Sequence, residues 1–445
     1  MRRAQSSLMG RQYKFWKELV TLLLATGVFL LCLFPYRALL NYYEQTHLFR
    51  WSAYYLREQC ISIDGCVEYI ISFITQFFYV GWAGAIIMAL LAVAIQLLLW
   101  GLLRIIRFDK PICYPLTLIA PALLFYFVFI PSEYREEEAF RETVTYDYLV
   151  RAKKWNTILN KSYHHPPQTL TGIWCTNYAL ANKGILLDKM FLYKQDGPDG
   201  LLMDATRMEP LALFSLSDIA FELGMINSAE RFAFDVKQRL PDYHKSGRIY
   251  RRLAECNLLN GHDKVARKYM KILQSTFFYK GWANKYYNYI SNRKALAEDK
   301  HYGYLLTYRQ KGNDELAQAK DQILAQMVKE NPENKLASDY LLAYEMLRLD
   351  LKKVVEYTLL LNKDARTKLM PKSIQESISG YWILSHPNDS LPIPINRDVF
   401  SITESYLQTV KTTGDMLSPS LDVPPYSQSY WHYHFHSTVK LRQQK

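Results

Sequence analysis

The residues best suited to chemistry lie near the C-terminus, in the run Tyr430–His436 (YWHYHFH). As a strand, this run would place His432, His434 and His436 on one face and Trp431, Tyr433 and Phe435 on the other. Three imidazoles on one face are a possible zinc ligand set. No carboxylate lies within the run, so these histidines stand as weak metal candidates, and no cofactor is expected. His164-His165-Pro166-Pro167 reads as a turn, and Glu136-Glu137-Glu138 as the solvated opening of a helix. Asp196-Gly197-Pro198-Asp199-Gly200 is also turn-like and lacks an EF-hand ligand series. No P-loop, dinucleotide glycine fingerprint, H-E-x-x-H or nucleophile elbow is present, so the expectation is a protein that is not an enzyme.

Cys60 and Cys66 bracket Ile-Ser-Ile-Asp-Gly, whose Asp64-Gly65 favours a turn. They form a possible disulfide in an oxidising compartment. Cys32 and Cys113 read as apolar fillers, and Cys175 and Cys256 as core residues.

The elements that would hold such groups divide the chain in three. The 445 residues carry a net charge of +12, with 49% hydrophobic and 14% aromatic residues. That composition supports folded domains. The positive charge is dilute, without a run of five Lys/Arg, so no nucleic-acid partner is expected. Residues 1–131 read as a membrane domain with crossings at about 19–38, 82–103 and 112–130. The first follows Arg2, Arg3, Arg11, Lys14 and Lys17 and reads as an uncleaved span rather than a signal peptide. No charge lies between Glu68 and Arg104. As one helix that run would be roughly 50 Å long, against a hydrocarbon core of ~30 Å. One crossing from about Trp82, with the aromatic front end in the interface, is the expected solution. Pro115 and Pro121 should kink the third crossing. Lys and Arg are denser before the first span and at Arg104, Arg107 and Lys110 than at Arg37, Arg50, Arg57, Arg135 and Arg141. This bias predicts a cytoplasmic N-terminus, a C-terminal domain outside the cytoplasm, and a multi-pass protein of the bacterial inner membrane.

Residues 132–386 change to helix-spaced apolar positions. A turn residue recurs with Ala or Val five positions later: Gly224 with Ala229, Gly261 with Ala266, Gly312 with Ala317, and Asp350 with Val355. Pro241 marks the exit of the first unit. Two of the three spacings lie near the ~34-residue tetratricopeptide period. The expected fold is therefore all-α: transmembrane helices followed by an α-solenoid of degenerate tetratricopeptide-like hairpins. Residues 387–445, with Pro392, Pro394, Pro419, Pro424 and Pro425, read as an extended Pro- and aromatic-rich arm.

The three spans, the stretch GIWCTNYALANKGILLDKMFLYKQDGPDGLL and the segment LAECNLLNGHDKVARKYMKILQSTFFYKGWA together resemble a family of uncharacterised Bacteroidetes membrane proteins. The resemblance implies an N-terminal membrane part and a tetratricopeptide-like C-terminal region, and it carries no activity or functional residues. The expected function is a membrane-anchored scaffold, with the lipid bilayer and an unknown protein or peptide in the repeat groove as partners. A non-catalytic subunit of a membrane enzyme or export complex is one alternative. A metal-dependent enzyme using the terminal histidines is the other.

Overall fold

A computed structural model describes residues 2–108, 110–202, 210–241, 244–311, 320–362 and 364–443. Regular structure among the described residues is entirely helical, with no strand. The chain forms two compact units that interleave in sequence. One comprises Met1–Tyr148, Lys237–Ala254 and Asp263–Ile290; the other comprises Leu149–Val236, Glu255–His262 and Ser291–Lys445.

The first unit contains three helices long and apolar enough to cross a membrane: Gln12–Leu33, Gly81–Ile105 and Ile112–Phe129. The first ends at Leu33, not near residue 38, and a new helix runs Arg37–Thr46. Pro35 explains the break, because it lacks an N–H and its ring crowds the preceding turn. Val28 and Cys32 of the first span pack with Ala85, Ala89 and Ala92 of the second. Small residues on that seam let the backbones approach, which is how helices associate where no hydrophobic force separates lipid from protein. The opposite faces are apolar yet uncovered: Leu98 is 70% exposed and Leu23 63%. Such a surface suits acyl chains rather than water.

The third span is irregular. A 3-10 segment, Pro111–Leu118, precedes the short α-helix Ile119–Leu124 and a π turn, Phe125–Phe129. Pro115 and Pro121 remove two backbone donors, which accounts for the departure from α geometry. The helices Arg37–Thr46 and Ile63–Thr75 lie in the chain between the first and second of these apolar helices.

The second unit is built from paired helices joined by left-handed turns. Gly224 has φ +87°, and Met225 N–H donates to Ala220 O at 2.9 Å, closing the helix Pro210–Glu222. Gly261 has φ +80°, with the matching bond from His262 N–H to Asn257 O at 2.8 Å. Glycine tolerates that conformation without a Cβ clash. At the fourth expected turn the left-handed residue is Leu349 (φ +66°), while the Asp350 carboxylate caps the next helix by accepting from Lys353 N–H. Ala229 is fully buried; in the first unit Ala266 is fully buried as well, and Pro241 follows the helix that ends at Arg239. Gly312 and Ala317 lie outside the described residues.

The C-terminal segment is helical rather than an extended arm. It forms Arg397–Thr413 and Tyr430–Gln443, separated by two short 3-10 turns. Its prolines fall between the helices, at positions that need no backbone donor. Trp431 is fully buried, and its indole N–H donates to Glu376 O at 2.8 Å. A Cβ on Gly380 would come within 2.2 Å of that ring, so the helix Lys372–Ser385 needs glycine there.

Candidate metal centre

Helix formation dissolves the expected histidine triplet. A helix aligns positions four apart, not two apart. His432 and His436 therefore lie side by side, with tilted rings whose centroids are 4.1 Å apart, and Asp422 approaches His432 at 4.0 Å. His434 points elsewhere: Tyr430 Oη lies 3.1 Å from its Nδ1, and burial pushes its pKa down to about 4. The Asp422–His432–His436 group is open to solvent on two of its three members.

A second group of the first unit is better enclosed. His47, Glu68 and His244 converge, with their ligand atoms all within 4.8 Å of one another. His47 and Glu68 are buried, and His244 is about a quarter exposed. His47 follows the last residue of Arg37–Thr46. That helix buries Asn41, Glu44, Gln45 and Thr46 as well as its apolar residues, so its polar face is internal. Glu68 lies on Ile63–Thr75, whose first turn is capped by Ser62 accepting from Gly65 N–H at 3.0 Å. His244 lies just before Gly247–Asn260, where Ser246 Oγ accepts from Ile249 N–H.

A buried polar network holds these segments together. Arg248 donates to both Asp147 oxygens at 2.9–3.1 Å and also bonds Gln45 Oε1. Gln45 in turn donates to Asn41 Oδ1 at 2.6 Å, and Tyr279 Oη donates to Glu44 at 2.6 Å. Lys245 pairs with Glu58 at 3.5 Å. Arg248 thus fixes the chain four residues after His244, while Gln45 fixes it two residues before His47.

His47 Nδ1 lies 2.9 Å from both Tyr43 O and the Thr46 hydroxyl: a proton on Nδ1 satisfies the carbonyl, whereas a bare Nδ1 would accept from Thr46 and leave the proton on Nε2. In the Nδ1–H form, Nε2 presents its lone pair to the Glu68 carboxylate, 3.7 Å away. Two electron-rich groups face each other in a buried site, and a cation between them would reconcile them. The imidazolium form is disfavoured, because burial lowers the His47 pKa more than Glu68 raises it. Burial also opposes the Glu68 charge, but His244 and the Ser72 hydroxyl act against it and the carboxylate lies below its usual range. Ser72 Oγ donates to Glu68 Oε1 at 2.9 Å. Ionised carboxylate and neutral imidazole are the forms that bind metal.

The spacing fits. His47 Nε2–Glu68 Oε1 is 3.7 Å and His244 Nε2–Glu68 Oε2 is 3.6 Å, both too long for good hydrogen bonds. Tetrahedral zinc with bonds of ~2.0–2.1 Å separates its ligands by about 3.4 Å. Both His–Glu68 separations lie within a few tenths of an ångström of that value, and the three ligand atoms lie within 4.8 Å of one another. His244 also lines an open pocket of ≈ 280 Å³ with Leu240, Pro241 and Tyr250, which offers a route in.

The remaining sequence candidates have other surroundings. Cys60 and Cys66 are both thiols, and hydrogen bonding to Cys66 raises the Cys60 pKa. Glu136, Glu137 and Glu138 are exposed. Asp196 and Asp199 pair with Lys440 and Lys320. His47, Glu68 and His244 escaped sequence reasoning because they fall in three distant segments with no shared motif. The one local signal was Glu68, the last charge before the long uncharged run.

These features define an all-helical protein with three membrane-length apolar helices and a buried histidine–glutamate cluster. The chain belongs to a family of unknown function (DUF6057), whose model matches residues 11–135 and 128–437. No curated protein and no solved structure matches it.

Proposed function

We propose that this chain is a membrane-anchored metalloprotein in which His47, Glu68 and His244 bind one divalent transition-metal ion, zinc by ligand class. The observation that carries this reading is the convergence of His47, Glu68 and His244, whose ligand atoms all lie within 4.8 Å of one another in a largely buried site. Two imidazoles and a carboxylate are the ligand set of hydrolytic zinc centres, which leave a fourth position for water or substrate. The hydrogen bond from His47 to Tyr43 O and that from Ser72 to Glu68 would orient the ligands from outside. The test is metal content of protein purified in detergent without chelator. Near-stoichiometric zinc, lost in His47→Ala and in His244→Ala, is expected. Wild-type protein that neither retains nor takes up zinc, cobalt or manganese would refute the reading.

The recurring left-handed turns favour a second, compatible reading for the other unit. There the paired helices form a tetratricopeptide-like solenoid that presents a groove to a protein or peptide. The basic bias supports an inner-membrane location with the N-terminus in the cytoplasm. Recovery of a specific partner by affinity purification from native membranes tests this reading, and repeated failure to recover one counts against it.

A further inference from the structure

The metal cluster borders an apolar groove of ≈ 380 Å³ in the same unit. Its walls include Ile74, Met88, Leu91, Ile95, Leu124 and Phe125. They come from the helix carrying Glu68 and from the second and third spans. The volume lies in the ~300–1,000 Å³ range of small-molecule sites. The polar residues of its lining are Tyr43, Thr75 and His47, and His47 is itself a member of the cluster.

Pro121 and the π-turn residues Phe125, Val128 and Phe129 form one wall. Tyr43 ties that turn to the metal cluster. Its Oη donates to Phe129 O at 2.7 Å, while its own carbonyl accepts from His47 Nδ1 at 2.9 Å. One residue therefore positions both the groove wall and a metal ligand.

We infer that the groove holds an acyl chain of a membrane glycerophospholipid, with the lipid's polar end at the His47–Glu68–His244 centre. This inference rests on the proposed metal reading. Two observations favour a bilayer lipid as the occupant. The groove is continuous with the lipid-facing surface of the spans, where Leu90 and Val128 are 62% and 69% exposed, so acyl chains already surround its mouth. Its lining is apolar apart from Tyr43, Thr75 and His47, and His47 belongs to the cluster, which matches an amphiphile whose ester or phosphate oxygens meet a cation while its chain stays in an apolar slot.

The test uses full-length protein in nanodiscs containing a phosphatidylethanolamine with a photoactivatable diazirine on one acyl chain. Crosslinks are mapped by mass spectrometry, and zinc is measured on the same samples. Crosslinks should concentrate on residues 71–78, 88–95 and 121–129 over the lipid-facing controls Leu23, Leu98 and Leu102. Leu91→Trp and Ile95→Trp each fill the slot and should cut groove labelling about five-fold or more while zinc content stays unchanged. Labelling of the groove no stronger than of the controls, or labelling that survives both fillers, would overturn the acyl-groove inference. Zinc-free wild type with intact groove labelling would overturn the metal reading and the placement of the polar end, and leave the acyl slot standing.

Discussion

Removing the Asp147 carboxylate should cost the first unit more stability than any surface change. Asp147 and Arg248 are 2% and 8% exposed, and three hydrogen bonds of 2.9–3.1 Å join them. In Asp147→Ala the guanidinium stays buried beside Gln45 without its main counter-charge. Breaking a buried pair on one side typically costs ~3–5 kcal/mol. At roughly 2–4 °C per kcal/mol, the apparent melting temperature in detergent should fall by about 6–20 °C. Replacing both partners with apolar residues of similar size, Asp147→Leu with Arg248→Met, removes the stranded charge. The double variant should recover about 2 kcal/mol or more of that loss. The network also holds His244 four residues from Arg248, so Asp147→Ala should weaken zinc binding about 10–100-fold even at temperatures where the protein stays folded. The assay is thermal unfolding of purified protein across the double-mutant cycle, with zinc titration of each variant. A coupling energy under about 0.5 kcal/mol would refute the claim that this pair organises the site.

Further outcomes follow from the second unit. A Cβ on Gly224 would sit 3.1 Å from Arg309 Cα and Tyr308 O at φ +87°, so Gly224→Ala should destabilise by about 2 kcal/mol or more by denaturant unfolding. Exposed Lys153 occupies a similar left-handed turn (φ 52°), so Lys153→Gly should shift stability the other way, by about 0.5–1 kcal/mol. Glu345 is fully buried, and the Asp321 carboxylate lies closer to Arg348 and Lys353 than its own oxygens do, at 2.7 and 2.8 Å against 3.8 Å. Burial raises its pKa to about 7 from an ordinary 4.5, even though both cations pull the other way. The folded state then keeps a proton that the unfolded chain releases, so stability falls as pH rises through that window, by at most ~3 kcal/mol. Glu345→Gln should flatten this part of the pH–stability curve, and an unchanged slope would argue against a protonated Glu345.

Much of the fold was open to sequence reasoning because local rules govern it. Long uncharged runs bounded by Arg and Pro mark three membrane-length helices, and helix-spaced apolar positions mark the all-α remainder. The C-terminal run misled for a definite reason. Alternating His and aromatic residues mimic a strand, yet burial of Tyr430 and Trp431 against Phe191 and Gly380 selects a helix. The first span ends earlier than expected because Pro35 breaks the helix, while Ala38, Leu39 and Leu40 resume the apolar run beyond Arg37 and mask that break in the sequence. The metal cluster was hidden at the level of sequence because its ligands meet only through tertiary contacts. Gln45, Asp147 and Arg248 bring them together, and none of these has a distinctive local pattern.

The most direct test of the account is X-ray absorption at the zinc edge on purified wild-type protein and on Glu68→Gln. The account predicts a first shell of nitrogen and oxygen at ~2.0–2.1 Å with two imidazole scattering patterns. In Glu68→Gln, affinity should drop while both imidazole signals persist in whatever zinc remains bound. A shell containing sulfur, or fewer than two imidazoles, or zinc binding insensitive to Glu68 would contradict it.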